Sequence, residues 1–277
     1  MNPTVSVIIP TFNRSDLLPR SVESVFSQTF KNWELIIVND GSTDGTKGWL
    51  EALITSHELK HKVKIHHIEN RGVSGARNYA INKSQTPWLA FLDSDDEWLP
   101  DKLEKQLELS NDFDFIHGEE IWVRNGVRVN PKNKHKKSGG RIFDKCIPLC
   151  CVSPSTTLIR RSLLEEVGLF NESYPVCEDY ELWLRVCEKY EVGFVSDPVI
   201  KKYGGHEDQL SRRFKAMDYW RVKALVPYLN SINITDEERE LVHSTLAIKI
   251  DILLKGYRKY SNLENIGEII EIQRLLR

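Results

Sequence analysis

The sequence predicts an α/β fold: a mixed, mainly parallel sheet with helices on both faces, followed by a helical appendage at the C-terminal end. Three observations predict it. Short apolar runs rich in β-branched residues alternate with stretches of helical periodicity through residues 1–110. Each run stops at a polar cluster of turn-forming residues. From residue 213 onward the periodicity is purely helical.

Val5, Val7, Ile8 and Ile9 form the first strand, which Pro10 ends. Leu18, Val22, Val25 and Phe26 recur at helical spacing, with Ser15 or Asp16 as the expected N-cap. Residues 33–38 read as a second strand running into Asn39-Asp40-Gly41-Ser42, and Trp49, Leu50, Leu53 and Ile54 mark a second helix. Residues 63–68 are a third strand and 74–84 a third helix. Residues 88–92 are a fourth strand, with a helix over about 100–109. The second half is less regular. Asn125-Gly126 between two apolar runs predicts a hairpin with a type I′ turn. Residues 155–159 suggest a strand, 163–167 a helix stopped by Gly168, and 178–190 a helix. Two short strands are expected at 192–195 and 199–203. Helices are expected over 213–229, 236–255 with Gly256 as the stop, and 263–276.

A length of 277 residues allows one or two domains at about 150 residues each. Residues 1–212 form the expected functional domain, with halves 1–110 and 111–212, and 213–277 the helical segment. Lys plus Arg is 38 against 40 for Asp plus Glu, a net charge of −2 that gives no general pull toward nucleic acid. The five cysteines include no C-x-x-C pair. With no signal peptide expected and no run near the roughly 20 apolar residues of a membrane span, a cytoplasmic setting is expected. The cysteines read as small core residues.

In parallel sheets of this kind ligands bind outside the carboxyl ends of the strands. Four clusters stand there: Pro10-Thr11-Phe12-Asn13, Asn39-Asp40-Gly41-Ser42, Asn70-Arg71-Gly72 and Asp93-Ser94-Asp95-Asp96. If the chain is extended there, Asp93 and Asp95 point the same way and can share a cation of the Mg2+ or Mn2+ kind, which also bridges a diphosphate. The structural alternative is that Asp93 and Asp96 cap the next turn. Asp40 can accept from a uracil N–H or simply shape an Asp-Gly turn. Phe12 can stack on a base or pack locally, and Arg71 and Arg77 can meet phosphate or base oxygens or form surface ion pairs.

Together the stretches "VSVIIPTFNR", "WELIIVNDGSTDGT", "NRGVSGARNYAI", "WLAFLDSDDEW", "VGLFNE", "EDYELWLR" and "GGHEDQLS" resemble the inverting nucleotide-sugar glycosyltransferases of family two. The resemblance covers residues 5–211 and implies a GT-A, Rossmann-like fold. It implies that Pro10, Thr11, Phe12 and Arg14 open the nucleotide site, with Phe12 stacking on the base. Asp40 would read uracil, and Arg71 and Arg77 would approach base and diphosphate. Asp93 and the adjoining Ser94 would serve the donor, Asp93 toward ribose or metal. Asp95 would sit on the metal, Asp96 would help the acceptor side, and His206 would complete the metal shell. Asp179 would be the catalytic base that takes a proton from the acceptor hydroxyl. On its own, Glu178-Asp179 is also what a helix N-terminus favours.

The expected function is therefore transfer of a single sugar from a nucleotide sugar, UDP-linked by this reading, to a hydroxyl of a glycan, lipid-linked or other acceptor. Polysaccharide, lipopolysaccharide or other glycoconjugate synthesis is the setting. No Q-x-x-R-W motif points to polymer extrusion. A nucleotidyltransferase is the alternative enzyme, but "PTFNRSDLLPR" lacks the glycine-rich loop such enzymes carry. A non-catalytic nucleotide-sugar-binding module is the alternative from another class, against which Asp93, Asp95 and Asp179 together speak. The basic tract Lys132, Lys134, His135, Lys136, Lys137 and Arg141 reads first as a solvated loop, or else as a contact for an anionic acceptor or lipid headgroups. The apolar helix with Leu246, Ile250 and Leu254 is expected to pack on the catalytic part, with a homodimer or peripheral membrane association as alternatives.

Overall fold

Unbroken apolar sequence builds the centre of the sheet. The computed structural model describes residues 3–130, 132, 135–205, 214, 216–260 and 264–276. Strands β1 (Val5–Thr11), β2 (Trp33–Asp40), β3 (Val63–Ile68) and β4 (Trp88–Phe91) lie parallel in the order β3-β2-β1-β4. β1, β2 and β4 are buried along their whole length, as strands covered on both faces must be. Alternation sorts their side chains. Val5, Val7 and Ile9 meet α1 (Leu18–Phe26) and α2 (Thr46–Ser56) through Leu18, Val22, Val25 and Leu50. Ile8, Ile36 and Val38 face the opposite layer, where Ala76 and Ala80 come from α3 (Gly72–Lys83). The strand order reverses between β1 and β4, so their carboxyl ends flank the switch point where such sheets bind ligands.

The other half of the sheet is antiparallel and mixed. After β5 (Glu97–Trp98) and α4 (Lys102–Leu107) come β6 (Phe115–Arg124) and β7 (Val127–Val129). Then follow α5 (Phe143–Cys146), β8 (Leu158–Arg160), α6 (Arg161–Val167), α7 (Glu178–Lys189) and β9 (Gly193–Gly204). The order continues β4-β8-β6-β9-β5, with β7 a hairpin on β6, giving nine strands among the described residues. Asn125 (φ 49°) and Gly126 (φ 75°) make the expected type I′ turn.

Several boundaries differ from expectation, for identifiable reasons. The two strands expected at 192–195 and 199–203 are one strand, β9, whose register against β6 shifts at Glu119. That bulge absorbs Asp197-Pro198, which broke the sequence pattern. At Gly118 a Cβ would come within 2.6 Å of Val199 Cγ2, so only glycine fits the close approach. Residues 154–156 form a 3-10 turn before β8 begins. The cap of α1 is Leu17, with no side-chain hydrogen bond, rather than Ser15 or Asp16; Pro19 supplies the start signal instead. The helix over 100–109 is shorter, and β5 and α5 were not expected.

The C-terminal helices are α8 (Asp218–Leu225), α9 (Asp236–Tyr260) and α10 (Ile266–Leu275), with a 3-10 turn at Val226–Asn230. Thr235 and Glu238 form a reciprocal capping box that starts α9. Gly256 does not stop that helix: Tyr257 is buried one residue on, and a side chain of this size contributes about 2 kcal/mol or more on burial, exceeding the glycine penalty of about 1 kcal/mol. Val222, Leu246, Ile250 and Ile269 join the same core as Leu182 and Val186 of α7. The helices thus pack on the sheet-bearing part. No described helix is long and apolar enough to cross a membrane. Ile248 and Ile252 remain exposed on the outer face of α9.

Candidate active site

The loops after β1 and β2 are tied together by their own polar residues. Asn13, at φ 53°, receives a hydrogen bond from Thr43 N–H (2.8 Å) and donates its N–H to Ser42 Oγ (2.9 Å). Arg14 N–H donates to Thr46 Oγ1 at 3.0 Å. At this rim Pro10 and Thr11 are buried, while the Phe12 ring is 39% exposed. Thr11 Oγ1 is buried without a hydrogen-bond partner among the described residues. Asp40 is 3% exposed and accepts from Arg71 N–H at 2.8 Å, at the start of α3. Burial raises its carboxyl above the usual range, against the pull of the Arg71 and Gly72 amides. The Arg71 guanidinium pairs with Glu172 at 2.8 Å on the rim.

The Asp93–Asp96 segment is a tight turn, closed by Asp96 N–H to Asp93 C=O at 3.0 Å. Asp93 and Asp95 are therefore not consecutive same-side positions of an extended chain, as the sequence suggested; the turn sets their directions. Ser94 is buried and both aspartates are partly exposed. Arg20 of α1 holds the Asp95 carbonyl and lies 3.6 Å over the Tyr203 ring. Asp96 has both oxygens engaged internally, by Ser155 Oγ (2.6 Å) and Tyr203 N–H (3.0 Å). It pins the turn to β9 rather than facing an acceptor. Burial, then the charges of Asp95 and Asp93, push its carboxyl well above the usual range.

Arg77 was expected to reach a nucleotide. Its guanidinium is instead enclosed between Asp93 Oδ1 and Glu178 Oε1, each at 2.7 Å. It joins the aspartate turn to the first turn of α7. Glu178 is 5% exposed and committed to Arg77; burial and neighbouring Asp179 push it up to about 7. Asp179, partly exposed, accepts from Tyr180 N–H at 2.7 Å and from the Cys150 thiol at 3.4 Å. Of the two acids, Asp179 is the one that can meet a substrate. The preceding residue, Cys177, holds a left-handed conformation (φ 60°), a strained backbone at the helix entrance.

His206 lies outside the described residues. Among those described, no three His, Cys, Asp or Glu side chains are grouped to hold a metal. Asp93 and Asp95 nevertheless suit a hard divalent cation. They are oxygen donors, one oxygen of Asp93 is left over from Arg77, and their field drives Asp96 up. Cations of this class take one or two carboxylates and complete their shell with phosphate oxygens.

A cleft of about 520 Å3 is lined by Glu120, Trp122, Lys137, Cys150, Lys202 and Arg221 among others, and it adjoins Asp179 through Cys150, whose thiol donates to that carboxylate. The sequence reading singled out none of these for the site except Lys137, as part of the basic tract. Lys202 stands two residues before the "GGHEDQLS" stretch and outside it; Glu120 and Arg221 lie in none of the quoted stretches. Lys202 donates to Ser153 Oγ at 2.7 Å and is held charged by Glu120, Asp96 and Asp93 despite burial.

Comparison with known proteins fits this geometry. The family model described as Glycosyl transferase family 2 matches residues 6–168. A putative teichuronic acid biosynthesis glycosyltransferase, TuaG of Bacillus subtilis, is 48% identical over 205 residues, covering 73% of this chain and 79% of TuaG. The Escherichia coli enzyme WfgD, named as a UDP-Glc:alpha-D-GlcNAc-diphosphoundecaprenol beta-1,3-glucosyltransferase, is 30% identical over 217 residues, covering 77% of this chain and 82% of WfgD. Three Rickettsia relatives are longer, and the matches span 28%, 36% and 35% of their length. Staphylococcus aureus TarS 1-349 in complex with UDP-GlcNAc superposes with a TM-score of 0.76 at 21% identity, covering 98% of this chain and 79% of that one. The fold is therefore GT-A. The mannosyltransferase PcManGT of Pyrobaculum calidifontis, with GDP-Man and Mn2+, gives 0.65 at 16% identity, covering 100% of this chain and 85% of that one.

Proposed function

This chain belongs to glycosyl transferase family 2, and from that premise we propose that it moves a single sugar, with inversion, from a UDP-sugar to a hydroxyl of a cell-envelope glycan or lipid-linked acceptor. The observation that carries the proposal is the Arg77 bridge. One guanidinium links the aspartate turn to the acid-bearing helix, and it engages Glu178 while leaving Asp179 open. UDP is favoured by Asp40, a buried acceptor for a ring N–H, and by the exposed Phe12 ring that follows the neighbouring strand. The relatives TuaG and WfgD, by their names, support the envelope setting. Five free cysteines suit a reducing compartment, and the protein works at the cytoplasmic side, where a lipid-linked acceptor is reached from the membrane surface.

In the reaction, the acceptor oxygen attacks the anomeric carbon from the face opposite the diphosphate. The carbon–oxygen bond to phosphate breaks, its electron pair leaves on UDP, and Asp179 takes the hydroxyl proton. The Cys150 thiol and the Tyr180 amide orient that carboxylate. Asp93 and Asp95 would hold Mn2+ or Mg2+, which when bound neutralises the departing diphosphate. Asp179→Asn should lower transfer by about a hundredfold to ten-thousandfold while UDP still binds in the presence of Mn2+. A radiolabelled-sugar transfer assay beside UDP calorimetry decides it, and normal turnover in the variant sinks the assignment.

A further inference from the structure

We infer that the cleft beside Asp179 receives an acceptor bearing an anionic group, phosphate or carboxylate, bound between Lys137 and Arg221. This rests on the glycosyl-transfer reading and specifies the acceptor's chemistry. Arg124, Lys137, Lys202 and Arg221 line the cleft, and Glu120 is the one carboxylate among the described lining residues.

The local carboxylates are shared rather than matched one to one. Glu120 lies 3.4 Å from Lys137 and also holds Lys202 charged. Asp218 pairs with Arg221 (2.9 Å) and equally with Lys249 (3.1 Å). Each of these carboxylates serves two cations, so neither Lys137 nor Arg221 has a carboxylate to itself. Arg221 Nε is buried with no hydrogen-bond partner among the described residues. Lys202 is also held by the charges of Asp96 and Asp93, which ties it to the aspartate turn. Lys137 and Arg221 are therefore the lining cations whose carboxylate partners are shared, and they can take a further anion.

The basic tract separates accordingly. Lys132 and Lys136 are exposed, and Arg141 is spent on both oxygens of Glu238 at 2.8 and 2.7 Å. Lys137 turns inward and is 7% exposed, which a solvated loop lysine does not do. Trp122 supplies an apolar wall on which a sugar can lie, with His135 packed at 5.1 Å from its ring. A volume of about 520 Å3 accommodates a sugar with a charged substituent. Arg221 comes from α8, beyond the residues that the family model matches, so the C-terminal helices contribute to acceptor choice.

The test uses the full chain with UDP and Mn2+ present and calorimetry with three probes: octyl N-acetylglucosaminide, octyl glucuronide, and an alkyl N-acetylglucosaminyl diphosphate. At least one charged probe should bind about tenfold more tightly than the neutral one, the value expected of a charge-assisted contact. Preference for the diphosphate or for the glucuronide identifies the source of the charge. Arg221→Gln and Lys137→Gln should each collapse the preference, Arg221→Lys should keep most of it, and UDP affinity should not move. Equal binding of all three probes, binding of none, or a preference that survives both Gln variants overturns the inference. Failure of the wild type to bind UDP counts instead against the glycosyl-transfer reading, because the charged probes report on the cleft separately.

Discussion

In the β3-β2-β1-β4 half of the sheet the interior is mostly hydrocarbon, and polar groups gather at the strand tips. In the β8-β6-β9-β5 half, titratable groups run inward. His117 and Lys102 are fully buried, and Glu120 and Lys137 nearly so. Lys102 Nζ donates to Gln106 Oε1 (2.5 Å) and Thr157 C=O (3.2 Å) and lies 4.1 Å over Trp98; burial pushes its pKa far below the usual lysine value. The first arrangement makes a rigid platform whose loops can vary. The second costs stability, since each buried polar group is unfavourable unless it is paired, and of its members Glu120 and Lys137 line the cleft. Arg77 is the joint between the two, rooted in α3 and reaching across to α7.

Breaking that joint should have the largest effect on stability. Arg77→Met leaves Glu178 buried without its partner, and loss of one member of a buried ion pair costs about 3–5 kcal/mol. Urea denaturation should show that loss, and pairing the change with Glu178→Gln should recover part of it. A loss below about 1 kcal/mol would mean that the halves are held by apolar packing alone.

The contrast also explains what the sequence revealed. β1, β2 and β4 are buried on both faces, so they read as continuous apolar runs, and the tips carrying Phe12, Asp40 and Asp93 stood out as the polar residues at their carboxyl ends. Hidden were the features that depend on three-dimensional pairing. β6 carries His117 and Glu120 at buried positions because Ser138 and Lys137 come back to meet them, and no local pattern announces this. β9 looked like two strands because a bulge, invisible in the sequence, accommodates Pro198. The motif stretches suggested Arg77 for the nucleotide, whereas only the fold shows Asp93 and Glu178 closing on it from either side.

His117 sharpens the comparison with a smaller effect. Burial, with Lys137 nearby, lowers its pKa from 6.5 to about 3, and its Nε2 pairs with Ser138 C=O at 2.9 Å. Between those values the unfolded chain binds a proton that the folded chain does not. Stability from this group is thus present above pH 6.5 and lost as pH falls toward 3. Acidification from pH 6.5 to 5 should cost about 2 kcal/mol from this residue. His117→Gln, which can still donate to Ser138 but does not titrate, should flatten that part of the pH–stability curve. An unchanged slope would show that the polar half tolerates a charged imidazole.

The smallest effect belongs to the platform's rim. Phe12 contributes little to packing at 39% exposure, so Phe12→Ala should change folding stability by no more than about 0.5 kcal/mol. If its ring stacks on the donor base, the variant should bind UDP about fivefold more weakly. That is about 1 kcal/mol, at the low end for a stacked base because one face of the ring stays in solvent. Calorimetry with UDP and Mn2+ beside a thermal melt separates the two quantities. Lower affinity with an unmoved melt keeps scaffold and site distinct in this half, as the apolar interior implies. A fall in melting temperature like that of a core truncation would show that the rim supports the platform, and the division between the two halves would have to be redrawn around α1.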